Sequence, residues 1–142
     1  MTYTAEREIV ALCGKLEQAH HDKDADALMA CFAPGAVIYD LAPPLGQRGH
    51  DRSEVQAWLD TWQGPISLTA AEVDLVVSGD LAYSSALNRI GGTKTDGANV
   101  DLWFRTTMCF RRTGSGWRIL HGHSSVPFLM DGSDRAALDL RP

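Results

Sequence analysis

Two apolar stretches near the C-terminus, Trp103 to Phe110 and Trp117 to Phe128, flank the segment Gly114-Ser115-Gly116. Runs rich in β-branched and aromatic residues, bounded by glycine, predict two long strands joined by a tight turn. A hairpin of this length has an apolar face that must be covered, so the remaining chain has to supply the covering layer.

The first third reads as helix. Ile9, Leu12, Leu16 and Ala19 recur at helical spacing after Thr4, which is expected to cap the helix. The polar break His20-His21-Asp22-Lys23 ends it. Asp24 is expected to cap a short second helix that turns Leu28, Cys31 and Phe32 inward. Pro34-Gly35 reads as a turn, followed by a short strand from Ala36 to Asp40. Leu41 to Gln47, with Pro43, Pro44 and Gly46, must be loop. Asp51 and Glu54 open a third helix with Val55, Trp58, Leu59 and Trp62 on its apolar face, and Gly64-Pro65 stops it. Breaks at Gly79-Asp80, Gly91-Gly92 and Gly114-Ser115-Gly116 then divide the chain into strands at about 66–77, 80–91, 98–112 and 117–128. Helices gathered first and strands last predict an α+β fold: three N-terminal helices packed on a strongly curved antiparallel β-sheet. Residues 1–142 are expected to form one domain, with 131–142 as a loosely ordered tail.

The net charge of -5 and the absence of any basic run argue against nucleic acid, whose phosphates need clustered Lys and Arg. No apolar stretch approaches the roughly 20 residues of a membrane helix, and the acidic N-terminus is unlike a signal peptide. Neither a membrane nor a nucleic acid is therefore expected as a partner. Cys13, Cys31 and Cys109 are odd in number and lack C-x-x-C spacing, which fits free thiols in a reducing cytoplasm. No phosphate-cradling glycine loop, Gly-x-Ser-x-Gly or His-Glu-x-x-His motif is present, so no cofactor is expected.

The order of elements, the run from Ala30 to Asp40 and the run from Gly116 to Ser125 together resemble the nuclear transport factor 2-like superfamily. Within it, the chain resembles the SnoaL-like and ketosteroid-isomerase-like branch over about residues 5–128. The resemblance implies a cone-shaped domain around a hydrophobic pocket and a homodimer formed through the outer sheet face. This superfold hosts isomerases, cyclases, dehydratases, hydrolases and non-catalytic binding domains, so it implies a fold more than a reaction. Asp40 falls where ketosteroid isomerases place their general base. Their oxyanion tyrosine is replaced by Leu16, and their second acid falls near Thr106 or Thr107. The ending with Trp117, His121, His123 and Ser125 is also similar to the association domain of calcium/calmodulin-dependent kinases, a non-catalytic oligomeriser.

Asp40 at a cavity mouth would have its charge disfavoured and its pKa raised toward a useful base range. Alternatively it caps backbone groups of the Pro43-Pro44 loop. Arg105, inside an apolar strand, needs a partner: a substrate anion, Asp101, Asp40 or an acid of a second copy. Trp103 shares its face. A symmetric hairpin about Gly114-Ser115 sets Arg105 opposite Ser124 and puts His121 and His123 on the other face, whereas a one-residue bulge at Gly116 would bring them to the Arg105 face. These histidines are proton-transfer groups or interface hydrogen-bonders. Two imidazoles and a carboxylate can bind a metal, but nothing places Asp40 beside the His121-x-His123 pair as a third ligand, so no metal is expected. The expectation is a cofactor-free enzyme moving a proton on a carbonyl-containing apolar substrate: isomerase-, cyclase- or dehydratase-like. Asp40 would be the base, Arg105, His121 or His123 the enolate stabilisers, and Trp62, Trp103 and Ser124 the substrate contacts. The alternative is a non-catalytic module that binds a small anion or oligomerises.

Overall fold

The structure, a computed structural model, describes residues 2–142; Met1, the first residue of the expected single domain, lies outside the described residues. In chain order the elements are α1 (Thr2–Asp22), α2 (Ala25–Ala30), β1 (Phe32–Tyr39), β2 (Gln47–Arg48), α3 (Arg52–Asp60), β3 (Trp62–Ser78), β4 (Leu81–Lys94), β5 (Asn99–Thr113) and β6 (Gly116–Ser125). The strands form one sheet in the order β2-β1-β6-β5-β4-β3. The fold is α+β as expected, but the sheet is mixed, because β1 runs parallel to β6 while the other neighbours are antiparallel. No described helix is long and apolar enough to cross a membrane.

Local chemistry explains the helix boundaries. Asp24 and Asp51 act as caps: each carboxylate accepts from a backbone N–H three residues on, at 3.0 Å from Ala27 and 3.1 Å from Glu54. Lys23, at φ 53°, turns the chain out of α1. Thr4 is not a cap, since α1 already begins at Thr2. Trp62 is not on the third helix: Thr61 closes α3, and Trp62 opens β3. The strand β1 starts at Phe32 and carries Pro34-Gly35 within it, at a break in register between Phe32 and Val37.

Side-chain alternation assigns each residue of the sheet to a face. The inner face meets the helices through two separate apolar clusters. One joins Ile9 and Leu12 of α1 to Ala82, Phe110, Trp117 and Ile119. The other joins Ala25 and Leu59 to Trp62 and Ile66, with Ile90 and Val100 packed against them. Phe110, Ile119 and Leu59 are fully buried.

The β5–β6 hairpin pairs symmetrically from Thr113↔Gly116 to Phe110↔Ile119 and then slips by one residue, so that Cys109 faces His121. The extra residue is Leu120. The bulge weighed for Gly116 therefore exists four positions later, and it changes the face of everything beyond it. Arg105 faces Ser125 rather than Ser124.

The last residues return to the body of the protein. Leu129 donates to the Arg135 carbonyl at 2.7 Å, Ala137 to Pro127 at 2.8 Å, and Arg141 reaches Asp101 at 3.2 Å. Ala137 is buried.

Candidate functional site

On the inner face, a polar strip separates the two apolar clusters. Ile38 pairs with Gly122 and Tyr39 with His123, so the same register carried one residue further sets Asp40 beside Ser124. Ser124 pairs with Thr106, and Thr106 with Ala86. Asp40, Ser124, Thr106 and Ala86 thus form a row across the sheet. At roughly 4.8 Å per strand, the backbones of Asp40 and Thr106 stand about 10 Å apart, with Ser124 of β6 between them.

Asp40 is exposed at the rim, yet enough protein surrounds its carboxylate to push its pKa above the ordinary carboxylate value; the charges of His50 and His20 oppose that rise. Burial pushes His20 below the ordinary imidazole value, against its bond to Leu16 and the charge of Asp40. Burial also lowers His50, and Asp40 again opposes. The acid and the two imidazoles are therefore shifted toward one another, the pattern of an acid–base pair.

Geometry fixes the state of His20. Its Nδ1 lies 2.8 Å from the Leu16 carbonyl, which can only accept, so Nδ1 carries the proton and Nε2 of the neutral ring keeps its lone pair. Trp58 packs edge-on against the ring at 5.8 Å, and Trp62 packs against Trp58 at 5.9 Å. His50 packs edge-on against Phe32 at 4.5 Å.

Three buried donors on this face have no partner among the described residues: Thr106 Oγ1, Trp62 Nε1 and, within the Phe110 cluster, Trp117 Nε1. A buried donor left unpaired costs about 1–3 kcal/mol, so each is a place where a ligand oxygen would be welcome. Trp62 is buried between Leu59 and Ile66, with Lys94 Nζ 4.2 Å from its ring centre.

The other candidates lie on the outer face. Arg105 is exposed and donates to Ser125 Oγ at 3.1 Å. It is neither buried nor paired with Asp101, which binds Arg89 at 2.7 Å and Arg141. The Arg89 guanidinium in turn lies 5.8 Å from the ring centre of Trp103. Tyr39 packs edge-on against both His121 and His123, at 5.1 and 5.4 Å. His121 Nδ1 donates to the Val37 carbonyl at 2.7 Å. The sheet thus divides the expected set: Asp40, Ser124 and Trp62 inside, Arg105, Trp103, His121 and His123 outside.

Sequence reasoning passed over His20 and His50. His20 stood in a polar stretch that reads as a helix end, and His50 in a loop. A signal for His20 existed: it follows Ala19, at the edge of the apolar stripe of α1. Among the described residues no group of three or more His, Cys, Asp or Glu is placed to hold a metal ion.

An α+β body of three helices over a six-stranded mixed sheet, with a polar strip on its covered face, defines the nuclear transport factor 2-like class. The chain belongs to the SnoaL-like domain family, whose profile matches residues 9–129. It is similar to an NTF2-like protein of unknown function from Pseudomonas putida KT2440, at 30% identity over 100% of this chain and 99% of that one, with a TM-score of 0.87. A nuclear transport factor 2 superfamily protein from Salmonella enterica shares 19% identity over 95% of this chain and 99% of that one, with a TM-score of 0.78. A candidate dehydratase of the NTF2-like family from Streptomyces avermitilis shares 18% over 91% and 99%, with a TM-score of 0.76. Among curated proteins the sequence has no match.

Proposed function

We propose that the protein is a cofactor-free cytoplasmic enzyme that moves a proton on a carbonyl-containing, largely apolar molecule held on the inner face of its sheet. The observation that carries this reading is the placement of Asp40 with His20 and His50, in one row with the unpartnered Thr106 hydroxyl and between two apolar clusters. Asp40 takes a proton from the carbon next to the carbonyl, and the bond's electrons move onto the carbonyl oxygen. Thr106 and Ser124 hold that oxygen, replacing Arg105 and the strand histidines in the role first expected for them. Asp40 then gives that proton up by way of His20 or His50, which delivers it to another carbon, completing an isomerisation, or to a hydroxyl that departs as water, completing a dehydration; Asp40 is left ionised for the next cycle. The candidate dehydratase among its structural relatives agrees with the second outcome.

The test is solvent deuterium incorporation into a panel of cyclic enones, β-keto acids and aromatic ketones, with Asp40→Asn and His20→Gln beside the wild type. Exchange lost in folded Asp40→Asn supports the reading; exchange that survives it removes Asp40 as the base.

The outer face favours a second reading, a homodimer or a non-catalytic module. Val76 and Tyr83 are cross-strand partners that keep 48% and 47% of their surfaces open, in a row that continues through Cys109 to His121. Exposed apolar residues beside Arg105, His123 and Trp103 suit a second copy of the chain or a small anion.

A further inference from the structure

A hollow of about 330 Å³ lies between α1 and α2, apart from the strip that holds Asp40. Its apolar floor is lined by Leu12, Ala19 and Cys31, which are buried, and on the α2 side by Ala27 and Ala30, which are exposed. Lys15 on α1 and Arg118 on β6 stand at its rim, and Gln18 and Asp22 also line it. The space exists because alanine occupies positions where the facing helices would otherwise interdigitate.

Charge is unevenly placed around this floor. Asp22 is engaged by Gln18 at 3.0 Å and by His21 at 3.1 Å. Neither Lys15 nor Arg118 enters an ion pair among the described residues; Arg118 spends one N–H on the Trp117 carbonyl at 2.7 Å. Both cations act on the Cys31 thiol, favouring its ionised form, although burial raises its pKa overall. In a chain of net charge -5, two uncommitted cations over an apolar floor form a local positive site. Seven residues of helix separate Lys15 from Asp22, about 10 Å, so the cationic and acidic ends are resolved.

We propose that this hollow is a second binding site, taking a small organic carboxylate whose charged end lies between Lys15 and Arg118 and whose apolar body lies on the Leu12, Ala19, Ala27 and Ala30 floor. Its volume is at the lower end for small-molecule sites. A guanidinium and an ammonium suit a carboxylate, which the fork of Arg118 can grip at two oxygens. The apolar floor selects for an organic body over a bare ion.

Nitrogen-15 backbone spectra of the full chain, titrated with naphthalene-2-carboxylate, with its neutral alcohol 2-naphthalenemethanol and with inorganic phosphate, test this. The carboxylate is expected to move amides at residues 12–22, 27–31 and 118, and the alcohol and phosphate to leave them in place. Arg118→Gln weakens binding about 10-fold, as loss of a charged hydrogen bond does, and the double variant with Lys15→Gln abolishes it. Ala27→Phe, which fills the floor, abolishes it with both cations intact. Asp40→Asn leaves it unchanged. Equal shifts from carboxylate and alcohol, equal competition by phosphate, shifts confined to the surroundings of Asp40, or no shifts up to about 10 mM would each overturn the proposal. Should the double variant melt below the wild type, the ligand series on the wild type and Ala27→Phe decide.

Discussion

The two faces of the sheet are built from the same strands, and alternate residues divide polar groups between them in opposite ways. Inside, Asp40, Ser124 and Thr106 form a strip flanked by apolar clusters, with His20 brought by a helix and His50 by a loop. Outside, Arg105, His121 and His123 stand among exposed apolar residues; Arg105 donates to Ser125 and His121 to the Val37 carbonyl. The inner groups have shifted proton affinities and a donor without a partner, whereas the exposed guanidinium outside already has one. Burial and lack of a partner, more than residue type, distinguish a surface poised for chemistry from one poised for contact.

The largest effect expected is on chemistry at the inner face. Asp40→Asn should lower exchange or turnover by about 100- to 10,000-fold, the span of general acid–base contributions. Arg105→Ala should change it less than about 2-fold, because the sheet stands between Arg105 and the substrate and exposed surface changes are usually small. Parallel deuterium-exchange assays check both. Equal losses would end the separation of the two faces.

Core support comes next. Phe110 is fully buried, and Phe110→Ala should cost about 3–5 kcal/mol in denaturant unfolding. Tyr83→Ala on the outer face should cost far less in the monomer. If the outer face joins two copies, it should shift the mass measured by light scattering toward that of one chain.

Much of this was legible in the sequence, and the failures have a physical cause. Asp24 and Asp51 were readable as caps because a cap is decided by a few adjacent residues. The long hairpin was readable because glycines bound two apolar runs. Leu120 was not readable as the bulge, since any residue can be the extra one and nothing local marks it. That single slip decides which face His121 and His123 occupy. The parallel pairing of β1 with β6 and the approach of His20 and His50 to Asp40 are long-range events for which one chain's pattern carries no signal. Trp62 was misplaced because an apolar run after a helix looks like more helix until Gly64, at φ 75°, is seen inside a strand.

A smaller effect sharpens the role of Thr106. Thr106→Val removes a hydroxyl that has no partner while keeping shape, so thermal stability should be unchanged or slightly higher. Activity should fall about 10-fold if that hydroxyl holds the substrate oxygen. A drop in both would mean that the hydroxyl serves the fold instead.

The smallest effect is in pH dependence, and its sign separates the inner groups. The pKa of Asp40 is raised in the folded state, so its contribution is favourable at acid pH and is lost as pH rises from the ordinary 3.8 through the higher folded value. The pKa of His20 is lowered by folding, so its contribution is present above the ordinary 6.5 and is lost as pH falls through the lower folded value. Asp40→Asn should therefore gain in melting temperature relative to wild type as pH rises out of the acid range, and His20→Gln should gain relative to wild type as pH falls below the imidazole range. Arg105→Gln outside should show neither trend, because the sheet separates it from Asp40 and His20. Melting curves from acid to neutral pH read all three. Parallel curves for Asp40→Asn and wild type would mean that water solvates the carboxylate fully at the rim, and the argument for a tuned base would fail with it.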